Sequence, residues 1–283
     1  MGNAESGINI PSLTSTQFST VYNLNSLVIA SMLFTALYLL FSRGRVAPRY
    51  RNALVVSAIV CGIAAYHYFR IFDNFKESYP PGESVTAPHE LSNVAFNEGY
   101  RYVDWLLTVP LLLVETVAVM ALARAAQKSL LWKLVPASAL MIILGYPGEL
   151  ASDDGTRLLW GTLSTIPFLY LLYVLFVELS KSLERQPVEV QHTIKMLRLA
   201  LVGLWGIYPI AYLFPIFGGD FFSGADGFVL RQVGYSLADI FAKAAYGLAI
   251  YKVARVKSAL EDPVQYGTEE DTAAPVERER IPA

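Results

Sequence analysis

The sequence predicts an all-α membrane protein, a bundle of seven transmembrane helices with its N terminus outside and its C terminus in the cytoplasm. Three observations carry this. Of 283 residues, 54% are hydrophobic and only 16% charged, too apolar a balance for a water-soluble domain of this size. Seven apolar stretches approach or exceed the roughly 20 residues that a hydrocarbon core about 30 Å thick demands. The basic residues gather at alternate ends of these stretches, as expected of a cytoplasmic face.

Taken in order, the spans are expected at residues 20–42, 51–72, 97–123, 130–151, 156–180, 193–217 and 227–252. Arg43, Arg45, Arg49 and Arg51 lie between the first two, and Arg124, Lys128 and Lys133 around the junction of the third and fourth. Lys181, Arg185, Lys195 and Arg198 flank the link between the fifth and sixth, and Lys252, Arg255 and Lys257 close the seventh. Placing all of these inside sets the orientation. Residues 1–19 are then an extracellular segment. They lack a charged n-region followed by an apolar h-region and do not read as a cleaved signal peptide. Residues 20–256 form the transmembrane domain, and 257–283 a cytoplasmic tail, polar and expected to be disordered. The longest connection, from Asp73 to Val94, contains Pro80, Pro81, Gly82 and Pro88 and is expected outside as a short hairpin or lid.

Several function classes drop out early. A net charge of −2 leaves no basic footprint for nucleic acid. The single cysteine, Cys61, excludes an intramolecular disulfide, and His67, His89 and His192 have no ligand spacing, so no metal site is expected.

Ionisable groups inside a span are costly and mark function by default. The third span carries Arg101, Asp104 and Glu115, the seventh Asp239 and Lys243, and the second His67. Asp239 and Lys243 are four apart and share a helix face, with the lysine on the cytoplasmic side. Asp104, Thr108 and Glu115 form one stripe, whose ends differ in depth by about 16 Å at 1.5 Å per residue. Trp205, Tyr208 and Tyr212 make an aromatic face on the sixth span. Two readings remain open on spacing alone: a structural buried ion pair, or a desolvated lysine that forms a Schiff base with a carbonyl compound.

The stretches RYVDWLLTVPLLLVE (Arg101 to Glu115), WGIYPIAY (Trp205 to Tyr212) and LADIFAK (Leu237 to Lys243) resemble the microbial rhodopsins, in matching order over all seven spans. The resemblance implies all-trans retinal bound to Lys243 as a protonated Schiff base. Asp104 is then the counterion and proton acceptor, Asp239 the second counterion, and Arg101 the partner that keeps the carboxylates ionised. The triplet Asp104, Thr108, Glu115 looks like that of the proton pumps of the proteorhodopsin and xanthorhodopsin groups. Related patterns with Asn and Gln in the first and third places, which suggest sodium or chloride pumps, are absent. An outward pump needs a titratable acceptor outside the Schiff base and a donor inside it, and Glu115 resembles the donor.

Further positions follow from the same resemblance. His67 resembles the histidine that hydrogen-bonds the counterion, here Asp104. Leu112 stands where leucine accompanies green absorption. Gly161 occupies a position where many relatives have tryptophan. In xanthorhodopsin-like members a glycine there opens a side window for a carotenoid antenna, while small-residue helix packing is the alternative. The rest of the pocket is expected from Trp105, Val109, Met141, Gly145, Ser164, Thr165, Phe168, Trp205, Tyr208, Pro209, Tyr212 and Ala242. Arg231 and Phe217 lie where archaeal pumps place their proton-release glutamates, so early release is not expected. Protons and membrane lipid are the expected partners, a homo-oligomer in the cell membrane the expected assembly. A sensory photoreceptor signalling through a partner is the rival function, and an unpigmented receptor in which Lys243 is merely buried is the second.

Overall fold

In the computed structural model the structure describes residues 10–84, 86–184, 186–217 and 220–267. Helix 1 spans Ser15–Ser42, helix 2 Pro48–Ser78, helix 3 Gly99–Val119, helix 4 Arg124–Glu149, helix 5 Asp154–Leu183 and helix 6 Val188–Tyr212. Helix 7 runs through three consecutive stretches, Ala225–Asp239, a π-helical Ile240–Ala245 and Tyr246–Glu261. The first six are each long and apolar enough to cross a membrane. Sequence neighbours pack side by side, and helix 7 closes the bundle against helices 1, 2, 3 and 6.

Local chemistry sets the ends. Thr14 caps helix 1 in a reciprocal box with Gln17, which satisfies two otherwise orphaned amides. Pro48 opens helix 2, where its missing N–H costs nothing. Prolines also sit inside helices 3 to 6, at Pro110, Pro136, Pro147, Pro167 and Pro209, a position that membrane helices tolerate because neighbouring groups reoccupy the freed carbonyls. Lipid offers no hydrophobic drive between helices, so close packing must hold them. At Gly247 an added Cβ would stand 3.1 Å from Leu39 and 3.3 Å from Ser57. Helices 1, 2 and 7 meet there because that side chain is missing.

Several boundaries differ from the sequence reading. Helix 1 begins at Ser15, inside the segment expected to precede it, because the capping box adds a turn. Helix 6 ends at Tyr212, followed by the separate turn Phe214–Phe217. Among the described residues the long connection forms no hairpin of its own. Its strand His89–Glu90 pairs antiparallel with Ser12–Leu13 from the N-terminal segment, and His89 stacks on Phe18 with ring centroids 3.8 Å apart. Residues 257–267 depart from the expected disordered tail, since helix 7 continues to Glu261 and the turn Pro263–Tyr266 buries Tyr266. The ordering groups are polar ones that composition hides. Ser258 accepts from the Ala47 amide, and Arg255 donates to the Tyr266 carbonyl. Residues 1–9 and 268–283, and with them the remainder of both terminal expectations, lie outside the described residues, as does Arg185.

Candidate functional site

The π-helical stretch in helix 7 contains Lys243. Such bulges occur often at functional sites, where the extra residue in the turn re-aims a side chain. Lys243 is 2% exposed. Its Nζ lies 2.5 Å from Asp104 Oδ2 on helix 3 and 2.9 Å from Asp239 Oδ1, four residues back on its own helix. Asp239 is further held by Tyr208, whose hydroxyl donates to Oδ1 at 2.6 Å, and by Tyr68, which donates to Oδ2 at 2.8 Å. Both aspartates are buried. One cation thus sits between two carboxylates in a medium where each interaction is stronger than in water.

Three residues surround Asp104, and one of them, His67, does not make the hydrogen bond expected of it. His67 Nδ1 is 3.8 Å from Asp104 Oδ1, within ion-pair range but beyond a hydrogen bond, and instead lies 3.1 Å from the Ile63 carbonyl one turn back. Asp104 Oδ1 has no hydrogen-bond partner among the described residues. The Thr108 hydroxyl donates to the Asp104 backbone carbonyl rather than to its carboxylate, as threonines in helices commonly do. Arg101 donates at 2.9 Å to the hydroxyl of Tyr68, which in turn donates to Asp239.

A cavity of about 320 Å³ extends from Lys243 between helices 3, 4, 5, 6 and 7, within the range of about 300–1,000 Å³ usual for small-molecule sites. Every pocket position expected from the sequence lines it, joined by Tyr102, Ile142, Leu158, Thr162, Leu213 and Tyr235. Trp105 meets Tyr208 and Tyr235 edge-on, at 4.9 and 5.3 Å between centroids. A buried amine at one end of an aromatic-walled slot fits an elongated apolar carbonyl compound such as retinal, condensed with the lysine and flanked by two anions.

The cavity is partly open, and its lining on helix 5 includes Leu158, which is 45% exposed. Gly161 lines it too and packs against Tyr212. A Cβ on Gly161 would stand 2.7 Å from that ring, which is fixed by donation from its hydroxyl to the Arg157 carbonyl at 2.7 Å.

Glu115 lies further inward on helix 3, 0% exposed, with neither carboxyl oxygen hydrogen-bonded among the described residues. The Ser57 hydroxyl, which faces it, donates to the Ala53 carbonyl instead. Beyond Glu115, Thr116 and Tyr246 share a hydrogen bond of 2.7 Å. Both line a cavity of about 20 Å³ that also touches Arg198.

The outer end holds groups that sequence reading missed. Glu98, at the start of helix 3, accepts from Arg101 Nε at 2.9 Å and from Gln232 at 2.6 Å. Arg231 lies between Glu98 and Glu149, 3.5 Å from each. Glu98 stands three residues before Arg101, a spacing that could have revealed the pair. Glu149 follows the unbroken apolar run of helix 4, and nothing local tied it to Arg231. Phe217, the other position noted from the sequence, has a side chain outside the described residues.

The family model for bacteriorhodopsin-like proteins matches residues 20–256. The green-light absorbing proteorhodopsin of Gamma-proteobacterium EBAC31A08 is 31% identical over 236 residues, covering 82% of this chain and 86% of its own length. Among solved structures, xanthorhodopsin, described as a light-driven ion pump with dual chromophore, superposes with a TM-score of 0.83 at 44% identity, covering 89% of this chain and 98% of its own. A thermophilic rhodopsin gives 0.84 at 43% identity, covering 89% and 99%.

Proposed function

This chain belongs to the bacteriorhodopsin-like family of membrane proteins, and we propose that it is a light-driven pump that moves protons outward, with all-trans retinal carried on Lys243. The observation that carries the proposal is the pair of carboxyl groups on helix 3, Asp104 in contact with the Lys243 nitrogen and Glu115 buried on the inward side with no hydrogen bond to either oxygen among the described residues. Retinal bound through a Schiff base supplies the light absorption and the change of shape that no side chain provides.

The protein's part is to receive and return a proton at the Lys243 nitrogen. Asp104 Oδ2 is in place to accept it, and its other oxygen carries no competing hydrogen bond among the described residues. Asp239 is held in place by hydrogen bonds from Tyr68 and Tyr208 while Asp104 accepts the proton. Glu115 is fully buried, and neither of its oxygens is hydrogen-bonded among the described residues, where an ionised carboxylate is costly. Its site therefore suits the neutral acid, the form that can return a proton to the lysine nitrogen. The hydrogen-bonded pair Thr116 and Tyr246, next along helix 3 from Glu115, stands on the side from which Glu115 would be refilled.

A second reading adds to the first: the opening at Leu158, Thr162 and Gly161 admits a carotenoid that passes excitation to the retinal. It is supported by the exposed Leu158 in the cavity lining and by 44% identity to a pump described as having a dual chromophore.

Cells or lipid vesicles containing the protein with added retinal test the main reading. Illumination should acidify the outer side of cells. A visible pigment without net proton movement would overturn the pump and favour the sensory alternative.

A further inference from the structure

Helix 7 takes up π geometry over Ile240–Ala245 and returns to α geometry at Tyr246. The backbone N–H of Tyr246 donates to the Lys243 carbonyl and to the Phe241 carbonyl, five residues back, and so closes the turn that carries the lysine. The side chain of the same residue reaches another helix. Its hydroxyl lies 2.7 Å from Thr116 Oγ on helix 3. Thr116 has a single hydroxyl proton and donates it to the Leu112 carbonyl at 2.6 Å, so between the two hydroxyls Tyr246 donates and Thr116 accepts. Among the described residues this is the hydrogen bond that joins helices 3 and 7 between Lys243 and Lys257.

The bond falls beside Glu115. Thr116 follows that residue directly in the chain. Gly247, next after Tyr246, packs so closely that an added Cβ would stand 3.3 Å from Ser57, the residue of helix 2 that faces Glu115. The lysine turn is thus fastened near Glu115 from two sides, by packing on helix 2 and by one hydroxyl on helix 3. Thr116 and Tyr246 are both buried, and neither lines the cavity at Lys243. On the reading of the chain as an outward pump, we infer that Tyr246 is a positioning residue for the return of the proton: its bond to Thr116 holds the Lys243 turn at a fixed spacing from Glu115, and that spacing sets how fast Glu115 reprotonates the lysine nitrogen.

Distance gives the bond its weight. Asp104, which touches the Lys243 nitrogen, and Glu115 differ in depth by about 16 Å at 1.5 Å per residue, too far for one hydrogen bond. Helix 3 and the lysine turn must therefore keep their register while the proton crosses. In that step the O–H bond at Glu115 breaks and an N–H bond forms at Lys243, while Tyr246 keeps its own proton. A misplacement of about 1 Å in such an arrangement can cost about 10²-fold in rate. The first deprotonation takes place 2.5 Å from Asp104, on the outer side of the turn, and does not draw on Tyr246.

The test uses flash excitation of the full chain with retinal in lipid, following loss and return of the proton at the Lys243 nitrogen in the visible spectrum. Tyr246→Phe removes one hydroxyl. It should form pigment with an unshifted absorption maximum and lose the first proton at the wild-type rate, while return of the proton slows about 10-fold or more. Thr116→Val should slow the same step, and Thr116→Ser, which keeps the acceptor oxygen, should restore it. Tyr246→Phe combined with Thr116→Val should be no slower than the slower single variant, since both remove one bond. Return at the wild-type rate or faster in Tyr246→Phe overturns the inference and leaves the pump intact, and so does a double variant whose effects multiply. If only one of the two single variants forms pigment, its return rate decides. Loss of pigment in both would make the bond a requirement of folding and overturn the positioning role. A wild type that never loses the proton from Lys243 overturns both readings.

Discussion

Lys243 depends on two anions for its place in the bundle. Without Asp104 at 2.5 Å and Asp239 at 2.9 Å, a lysine 2% exposed at this depth would be prohibitively costly. Replacing it leaves the pocket with no amine. Lys243→Ala should therefore show no visible band after addition of all-trans retinal, a result read directly in an absorption spectrum. A normal band would move the attachment elsewhere. Glu115 offers a separate test, because the glutamine amide fills its space but holds no exchangeable acid proton. In Glu115→Gln, return of a proton to the lysine nitrogen should slow by about 10²-fold or more. Flash spectroscopy would follow this, and equal decay in wild type and variant would remove Glu115 from the donor role.

Among the helices, 3 and 7 carry opposite halves of the site and are tied together at their cytoplasmic ends. Lys257 on helix 7 donates to the Val119 and Met120 carbonyls at 3.0 and 3.3 Å and to Gln186 Oε1 at 2.9 Å. A cation at a helix C-terminus satisfies carbonyls that the helix itself leaves unpaired. Lys257→Met removes the donor and leaves buried acceptors behind. It should lower stability by about 1–3 kcal/mol, measured as faster thermal bleaching. The absorption maximum should stay in place, because none of these contacts involves a pocket residue. A large spectral shift would mean that the two helix ends communicate with the lysine site.

Across the whole molecule, the side opening depends on how helices 5 and 6 approach each other. Gly161 allows Tyr212 to lie against helix 5, and both residues line the cavity. Gly161→Trp should displace the Tyr212 ring from its bond to the Arg157 carbonyl, fill the gap and block a carotenoid, while Lys243 and both carboxyl groups on helix 3 remain. The measurement is the excitation spectrum of proton transport after incubation with candidate carotenoids. Structured carotenoid bands in the wild type, absent in the variant, are expected. Identical spectra with and without carotenoid would leave Gly161 as a packing position alone.

The spans, the stripe from Asp104 to Glu115 and the face shared by Asp239 and Lys243 were all legible in the sequence. The physical reason is local: a bilayer demands long apolar helices, the helical period fixes which residues share a face, and charges stand out against that background. The motifs on helices 3, 6 and 7 added the pocket positions through the family resemblance, and each of them lines the cavity. Other features depended on the rotation and spacing of separate helices, which no local period encodes. His67 turns to its own helix's Ile63 carbonyl and stops 3.8 Å from Asp104, because the separation of helices 2 and 3 sets that gap. Arg231 stood out only as a departure from a glutamate pattern, until the fold placed it between Glu98 and Glu149, two carboxylates 51 residues apart in the chain. The strand at His89 likewise found its partner across the outer face at Leu13. Charge and periodicity along each helix were determined by the sequence; which buried charges meet was decided by tertiary packing, since that depends on distances between helices.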